Sequence, residues 1–221
     1  MPTVRAFTRL AILIALSAVG ASLKVPAVTG TPALDSAPGY FAALALGTGQ
    51  GVAVAATGHL LTALTAGFPL TVPIHLVIAA GMGGCAAAVA VCGARKGPWW
   101  AFAVGLLLNG VAFPALFLPV PGFGPGFFAA MLIPLLVASA LNLGLAALAY
   151  EAAVRARLTW VVPRLALAAP AGSRSTAVQA VRGPAPRADG TGDMASASAP
   201  LAEGTGDVAH ASARRREEGG A

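Results

Sequence analysis

The feature that most constrains this chain is the near absence of acidic residues from its long apolar runs. Of the 221 residues, 57% are apolar and 10% are charged, whereas about 25% are charged in an ordinary soluble domain. In the first 150 residues the single acid is Asp35. Beyond the apolar runs the chain is rich in Ala, Gly, Ser and Pro and carries most of the charge. We therefore expect a membrane domain over 1–157 and a polar tail over 158–221.

Six apolar segments, bounded by Gly, Pro or charge, predict an all-α integral membrane protein with six transmembrane helices. The segments are 6–23, 39–47, 50–66, 72–93, 98–118 and 127–154. Several are shorter than the roughly 20 residues that an isolated span needs, so we expect these to be tilted or packed against their neighbours. The first segment also fits a signal peptide, but the five apolar segments that follow it favour a membrane domain.

The distribution of basic residues predicts the orientation of the membrane domain. If both termini are cytoplasmic, six basic residues flank the spans on the cytoplasmic side and only Lys24 lies outside. The six are Arg5, Arg9, Arg95, Lys96, Arg155 and Arg157. This bias agrees with the positive-inside rule, and it places the loops 24–38, 67–71 and 119–126 outside.

Asp35 lies in the longest of the outer loops, and two interpretations of it remain open. An ionised group at the outer mouth of a helix bundle is well placed to recognise a ligand. Asp35-Ser36 followed by Pro38-Gly39 is also good turn chemistry, in which the carboxylate accepts backbone hydrogen bonds.

The few other polar groups of the membrane domain are spread over several spans. The substrate-binding candidates are Asp35, Ser36, Tyr40, His59, Thr62, Phe68, His75, Asn109 and Asn142. Each polar group taken singly could be a helix–helix contact, but together they suit a pocket for a small polar ligand. His59 and His75 could instead bind a metal, but we expect no metal site because the spans offer no third ligand.

Several functions lack the residues that they require. There is no G-x-x-x-x-G-K-[ST] phosphate loop, and "GTGQG" at 47–51 is a turn whose Gly47 and Gly51 allow close helix packing. No nucleophile, base and orienting acid are grouped, so we predict no enzyme and no cofactor. The basic residues are dispersed, which argues against nucleic acid. The sequence therefore predicts ligand capture without an energy source of its own.

Residues 5–157 resemble the substrate-binding (S) component of energy-coupling factor (ECF) vitamin transporters. Within that family, "TGTPALDSAPGYFAAL" at 29–44 and "GHLLTALTAGFPLTVPIHLVIA" at 58–79 look most like the alpha-ribazole transporters, whose ligand is the nucleoside of the cobalamin lower loop. The resemblance implies a six-helix bundle in the plasma membrane. It also implies partnership with a transmembrane coupling subunit and two ATPase subunits.

The resemblance further implies roles for particular residues. Docking to the coupling subunit would use Ala11 and Ala15 on the first helix, or Ala11 with Ala18. Asp35 and Asn109 would suit ribose hydroxyls, and an aromatic side chain would stack on the dimethylbenzimidazole ring. The candidates for stacking are Tyr40, Phe68 and Trp99, although Trp99 is better explained as an anchor at the inner membrane interface. A membrane scaffold whose polar residues only join helices is the alternative function.

The tail predicts no packed structure. "ADGTGDMASASA" at 188–199 recurs as "AEGTGDVAHASA" at 202–213, a 14-residue step with almost nothing to bury. We expect the tail to be disordered and cytoplasmic. Arg214, Arg215 and Arg216 could contact anionic lipid headgroups, although a solvated terminus is the simpler interpretation.

Overall fold

The computed structural model describes residues 4–27, 32–158 and 161, so the predicted tail, apart from residues 158 and 161, lies outside the described residues. The described residues form six helical stretches joined by short turns. These are α1 (Val4–Gly20), α2 (Ala37–Ala45), α3 (Thr48–Thr65), α4 (Val72–Lys96), α5 (Pro98–Ala115) and α6 (Gly124–Arg155). They follow the six predicted apolar segments along the chain. Within the described residues, Lys24 and Ala33 form an isolated antiparallel β-bridge.

Three of the six helices, α4, α5 and α6, are long and apolar enough to cross a membrane. The other three fall short for different reasons. α1 has 17 residues, and α2 has nine, which at 1.5 Å per residue is about 14 Å. α3 has 18 residues, but Thr, Gln and His lower its apolar content. The described residues thus support three spanning helices by length and composition, fewer than the six that the sequence predicts.

The short helix α2 folds back antiparallel against the first half of α3. A Cβ atom added to Gly39 would lie 2.8 Å from the Cα of Ala55, and one added to Gly51 would lie 2.5 Å from the Cβ of Ala43. Such close backbone approach requires glycine, as predicted for Gly51. Gly47, with φ of +105°, forms the turn instead. Because α2 is so short, the loop that precedes it must reach deep among the helices.

Helix α1 crosses α3 where both residues in contact are small. Ser17 of α1 is fully buried, and its Cβ lies 2.9 Å from where a side chain on Gly58 would begin. The face of α1 that carries Leu13, Ser17 and Gly20 is buried, whereas Ala11 and Ala15 lie on the exposed face. Two faces of α1 are therefore distinct: one packs on the bundle and the other, which carries Ala11 and Ala15, is exposed.

Helix α5 is interrupted at its middle by a π-helical turn, Leu108–Ala112. Pro114 follows the turn after one residue, Phe113, and since proline has no N–H it cannot donate to the carbonyl of Gly110. Turns of this type widen a helix locally and are frequent at functional sites. Asn109 lies within the turn and donates from Nδ2 to the hydroxyl of Ser139 on α6, at 2.8 Å.

Candidate ligand-binding site

A cavity lies between the end of the long loop and helices α3 to α6. Its empty volume is about 700 Å³, counting the part that is open to solvent. Polar side chains form one part of the lining, which we call the polar wall: Asp35, Ser36, His59, Asn109 and Asn142. Four rings form another part, the aromatic wall: Phe113, Phe117, Phe123 and Phe127. Small and aliphatic residues, such as Ala33, Met82 and Leu135, complete the lining.

Asp35 is held at the cavity by two hydroxyl groups. Its Oδ1 accepts a hydrogen bond from the Ser36 hydroxyl at 3.0 Å, and its Oδ2 accepts one from the Thr62 hydroxyl of α3 at 2.6 Å. The residue is only 4% exposed, so it lies deeper than a position at the outer mouth implies. Burial raises the pKa of this loop carboxyl above its ordinary value, although the hydrogen bonds from Thr62 and Ser36 act in the opposite direction.

Asn142 of α6 joins the long loop and the start of α2 to the rest of the bundle. Its Oδ1 accepts hydrogen bonds from the backbone N–H groups of Ser36, at 3.0 Å, and Ala37, at 2.7 Å. Its Nδ2 donates to the carbonyls of Ala33 and Ala138, both at 2.8 Å. A single side chain therefore bonds to the backbone on both sides of Asp35.

His59 and His75 form a buried pair. The backbone N–H of Leu70 donates to Nε2 of His75 at 3.4 Å, so in a neutral ring the proton of His75 is on Nδ1. That nitrogen lies 3.2 Å from Nε2 of His59, which then acts as the acceptor. The proton of a neutral His59 is therefore on Nδ1. Because His59 is the histidine that lines the cavity, this N–H is available there as a hydrogen-bond donor.

Four of the nine sequence-predicted site residues lie outside the cavity lining. Thr62 and His75 are fully buried and contact the lining residues Asp35 and His59. Phe68 places its ring 5.7 Å from that of His75, edge to face. Tyr40 is also fully buried, and its hydroxyl lies 3.5 Å from the sulfur of Cys85. The structure thus places five of the nine at the cavity and two others, Thr62 and His75, against those five, while Phe68 packs on His75.

The described residues also bear on the metal alternative for His59 and His75 and on the stacking candidate Trp99. No group of three His, Cys, Asp or Glu side chains that could hold a metal ion occurs among them. Trp99 does not line the cavity. It donates from Nε1 to Glu151 at 2.9 Å, and Glu151 also pairs with Arg155. Trp99 is half exposed, so it is a surface residue and not part of the cavity.

The aromatic wall was missed by sequence reasoning. Its rings contact each other in series, with centroids 5.8 Å apart for Phe113 and Phe117, 5.3 Å for Phe117 and Phe123, and 4.7 Å for Phe123 and Phe127. Two of these pairs are four residues apart, the spacing of neighbours on one helix face. That spacing was the signal available in the sequence.

The charge of the cavity is one-sided. No Lys or Arg occurs among the described lining residues, and the carboxyl of Asp35 is the one acidic group there. An anionic group placed beside Asp35 would meet repulsion without a cation to offset it. A neutral ligand with O–H or N–H donors and an aromatic ring matches the lining better.

Apolar helices of spanning length and a cavity with polar and aromatic walls define an all-α membrane protein that can hold a small ligand. The family model described as "ECF transporter, substrate-specific component" matches residues 5–154. The chain therefore belongs to the family of substrate-specific components of ECF transporters. No curated protein and no solved structure gave a match.

Family membership fixes the general function. The chain is a substrate-binding subunit of a membrane transporter rather than an enzyme, and it is expected to work with ECF membrane and ATPase subunits. The predicted family is thereby confirmed. The alpha-ribazole type within it stays a prediction.

Proposed function

We propose that this chain binds alpha-ribazole, or a closely related cobalamin precursor, for uptake by an ECF-type importer. The observation that carries the proposal is Asp35, a buried carboxylate at a cavity whose other side is built from phenylalanine rings. A nucleoside offers the matching groups: ribose hydroxyls as donors to the carboxylate and a flat heteroaromatic ring for the aromatic wall.

The polar wall supplies further partners for such a ligand. Asp35 receives one side-chain hydrogen bond on each oxygen, and since a carboxylate offers about four acceptor positions it retains capacity for a ligand hydroxyl. The Nδ1 hydrogen of a neutral His59 is a donor for a ring nitrogen or ribose oxygen. Asn109 uses Nδ2 on Ser139, which leaves its Oδ1 as an acceptor. Donors and acceptors are thus both available in the cavity.

The same lining predicts selection against phosphorylated ligands. At about 6 Å and an effective dielectric constant of about 20, two like charges repel by roughly 3 kcal/mol, or about a hundredfold in affinity. We therefore expect alpha-ribazole to bind the chain at least about a hundredfold more tightly than its 5′-phosphate does.

Isothermal titration of the detergent-purified chain tests this function. Alpha-ribazole, its 5′-phosphate, adenosine, riboflavin and thiamine should be titrated in parallel, with a melting curve for each mixture. A ligand that binds only the native state raises its stability, so alpha-ribazole should give both heat and a higher melting temperature. Binding of another vitamin alone would assign the chain to that vitamin. No response to any compound would revive the scaffold alternative, which family membership disfavours.

We also propose that α1 docks on the coupling subunit through Ala11 and Ala15. Both are on the exposed face of α1, and small residues four apart allow close helix approach. Replacing both by Leu should abolish uptake in cells that express the whole importer, while the affinity of the purified chain stays within about twofold. Ala80→Leu, at an exposed position on α4, is the matched control. A parallel loss of affinity and uptake would contradict the docking role.

The proposed topology has six crossings, both termini cytoplasmic and the loop 24–38 outside. It is supported by the charge bias of the sequence, with the shorter helices crossing in contact with their neighbours. In a chain with Cys85 and Cys92 replaced by Ala, Lys24→Cys should react with an impermeant maleimide on intact cells. Reaction only after permeabilisation would contradict this orientation.

A further inference from the structure

The N-terminus of α2 is not capped by its own N-cap residue. Ser36 occupies the N-cap position, but its side chain makes no capping hydrogen bond and instead donates to Asp35. The first N–H groups of a helix have no partner within the helix, and here they are buried. Local sequence therefore leaves the backbone donors of Ser36 and Ala37 in need of an acceptor.

Asn142 supplies that acceptor from α6, more than a hundred residues along the chain. Its amide oxygen has two lone pairs and its amide nitrogen has two hydrogens. The two backbone donors of α2 occupy the oxygen, and the carbonyls of Ala33 and Ala138 occupy the nitrogen. All four hydrogen-bonding positions are thus used by backbone groups, and none remains for a ligand.

The consequence falls on Asp35. Asn142 bonds to the loop backbone before Asp35, at Ala33, and after it, at Ser36 and Ala37. The Thr62 hydroxyl holds the Asp35 side chain from the third helix. The Asp35 carboxylate therefore lies at the cavity on a segment whose backbone is hydrogen-bonded to Asn142 of α6 both before and after Asp35.

We propose that Asn142 is a positioning residue, which caps α2 from across the bundle and thereby holds Asp35 in its ligand-binding place, and that it makes no hydrogen bond to the ligand. The ligand part of this statement rests on the proposed function. The capping part does not, and the two are tested separately.

Hydrogen exchange of the ligand-free chain in detergent tests the cap. In Asn142→Leu, which has a similar size but no acceptor, the amides of Ser36 and Ala37 should exchange about tenfold faster or more. Asn142→Asp keeps an acceptor oxygen, so these amides should stay protected. Ser139→Ala, one turn away on the same helix, is the matched control and should leave them unchanged. Equal exchange in the Leu and Asp variants would overturn the cap.

A double-mutant cycle tests the route to the ligand. Asn142→Ser should weaken alpha-ribazole binding about tenfold or more in the wild type, because Asp35 is no longer held in place. In an Asp35→Asn background the same change should cost less than about twofold. Additive losses would show that Asn142 contacts the ligand itself and would overturn the positioning role.

Two outcomes keep the cap and the substrate distinguishable. If the wild type fails to bind alpha-ribazole while exchange follows the expected pattern, the proposed substrate is wrong and the cap stands. If Asn142→Leu does not fold, Asn142→Ser takes its place in the exchange comparison with Asn142→Asp, and protection equal in those two variants would overturn the cap.

Discussion

The polar wall and the aromatic wall of the cavity differ in where their residues come from and in which contacts hold them. The polar wall draws on the loop before α2 and on three helices, and hydrogen bonds fix its side chains. The aromatic wall comes from one short stretch, 113–127, whose rings contact each other in series. Gly122 and Gly124 within it have φ of +89° and +71°, which only glycine adopts readily.

This difference indicates how the two walls divide recognition. A side chain held by several hydrogen bonds loses little further freedom when a ligand binds, so it can discriminate between ligand groups. Ring contacts are less restrictive in direction than hydrogen bonds, so we expect the aromatic wall to accept rings of different size. We expect the polar wall to set which chemical groups bind, and the aromatic wall to contribute affinity with less selectivity.

The largest expected effect is at Asp35. Asp35→Asn keeps the shape of the side chain but removes the negative charge from the group whose oxygens accept hydrogen bonds from ligand hydroxyls. A hydrogen bond to a charged group contributes roughly 1.5 to 3 kcal/mol, so affinity for alpha-ribazole should fall by about ten- to a hundredfold. The Thr62 hydroxyl has a second acceptor, the Gly58 carbonyl at 3.2 Å, so the melting temperature without ligand should change little. Isothermal titration and a melting curve measure the two quantities.

The opposite result would assign Asp35 a purely structural role. If Asp35 only supports the turn of the loop, Asp35→Asn should lower the melting temperature of the ligand-free chain and leave affinity unchanged. That outcome would remove the acidic group from the polar wall and return Asp35 to the turn interpretation that the sequence left open.

A smaller effect is expected at the aromatic wall. Phe127→Leu removes a ring that lines the cavity and packs edge-on against Phe123. An aromatic pair contributes about 0.5 to 1.5 kcal/mol beyond the area that it buries, so affinity should fall about two- to tenfold. Phe128→Leu, at the neighbouring position outside the lining, should leave affinity unchanged. Equal losses in both variants would mean that the effect comes from α6 packing and not from the cavity.

Much of the fold could be predicted from the sequence because apolar runs and their Gly and Pro boundaries are local signals. The break at Gly47 between α2 and α3 is an example, since a positive φ there needs glycine. The depth of Asp35 could not be predicted in this way. It follows from the nine-residue length of α2 and from its antiparallel packing on α3, which is a tertiary property.

The candidate site divides in the same manner. Asp35, His59 and Asn109 stand out in an apolar chain, and the structure places all three at one cavity. The hydrogen bonds from Asn142 to the backbone of Ala33, Ser36 and Ala37 could not be predicted, because these partners lie more than a hundred residues away along the chain. Phenylalanine is an ordinary constituent of apolar segments, so composition gave no reason to single out the four rings of the aromatic wall.

The smallest expected effect is a pH dependence of stability that distinguishes the polar wall from the aromatic one. Burial raises the pKa of Asp35 in the folded chain, whereas an unfolded aspartate has a pKa of about 3.9. Between these two values the folded state binds more protons than the unfolded state, so stability falls as pH rises through this window. Asp35→Asn does not titrate and should lack this slope, while Phe127→Leu should keep it. Melting curves from pH 4 upward measure the difference between wild type and variant. A wild-type chain whose stability relative to Asp35→Asn instead increases with pH would mean that the ionised carboxylate is stabilised by its hydroxyl partners more than burial disfavours it.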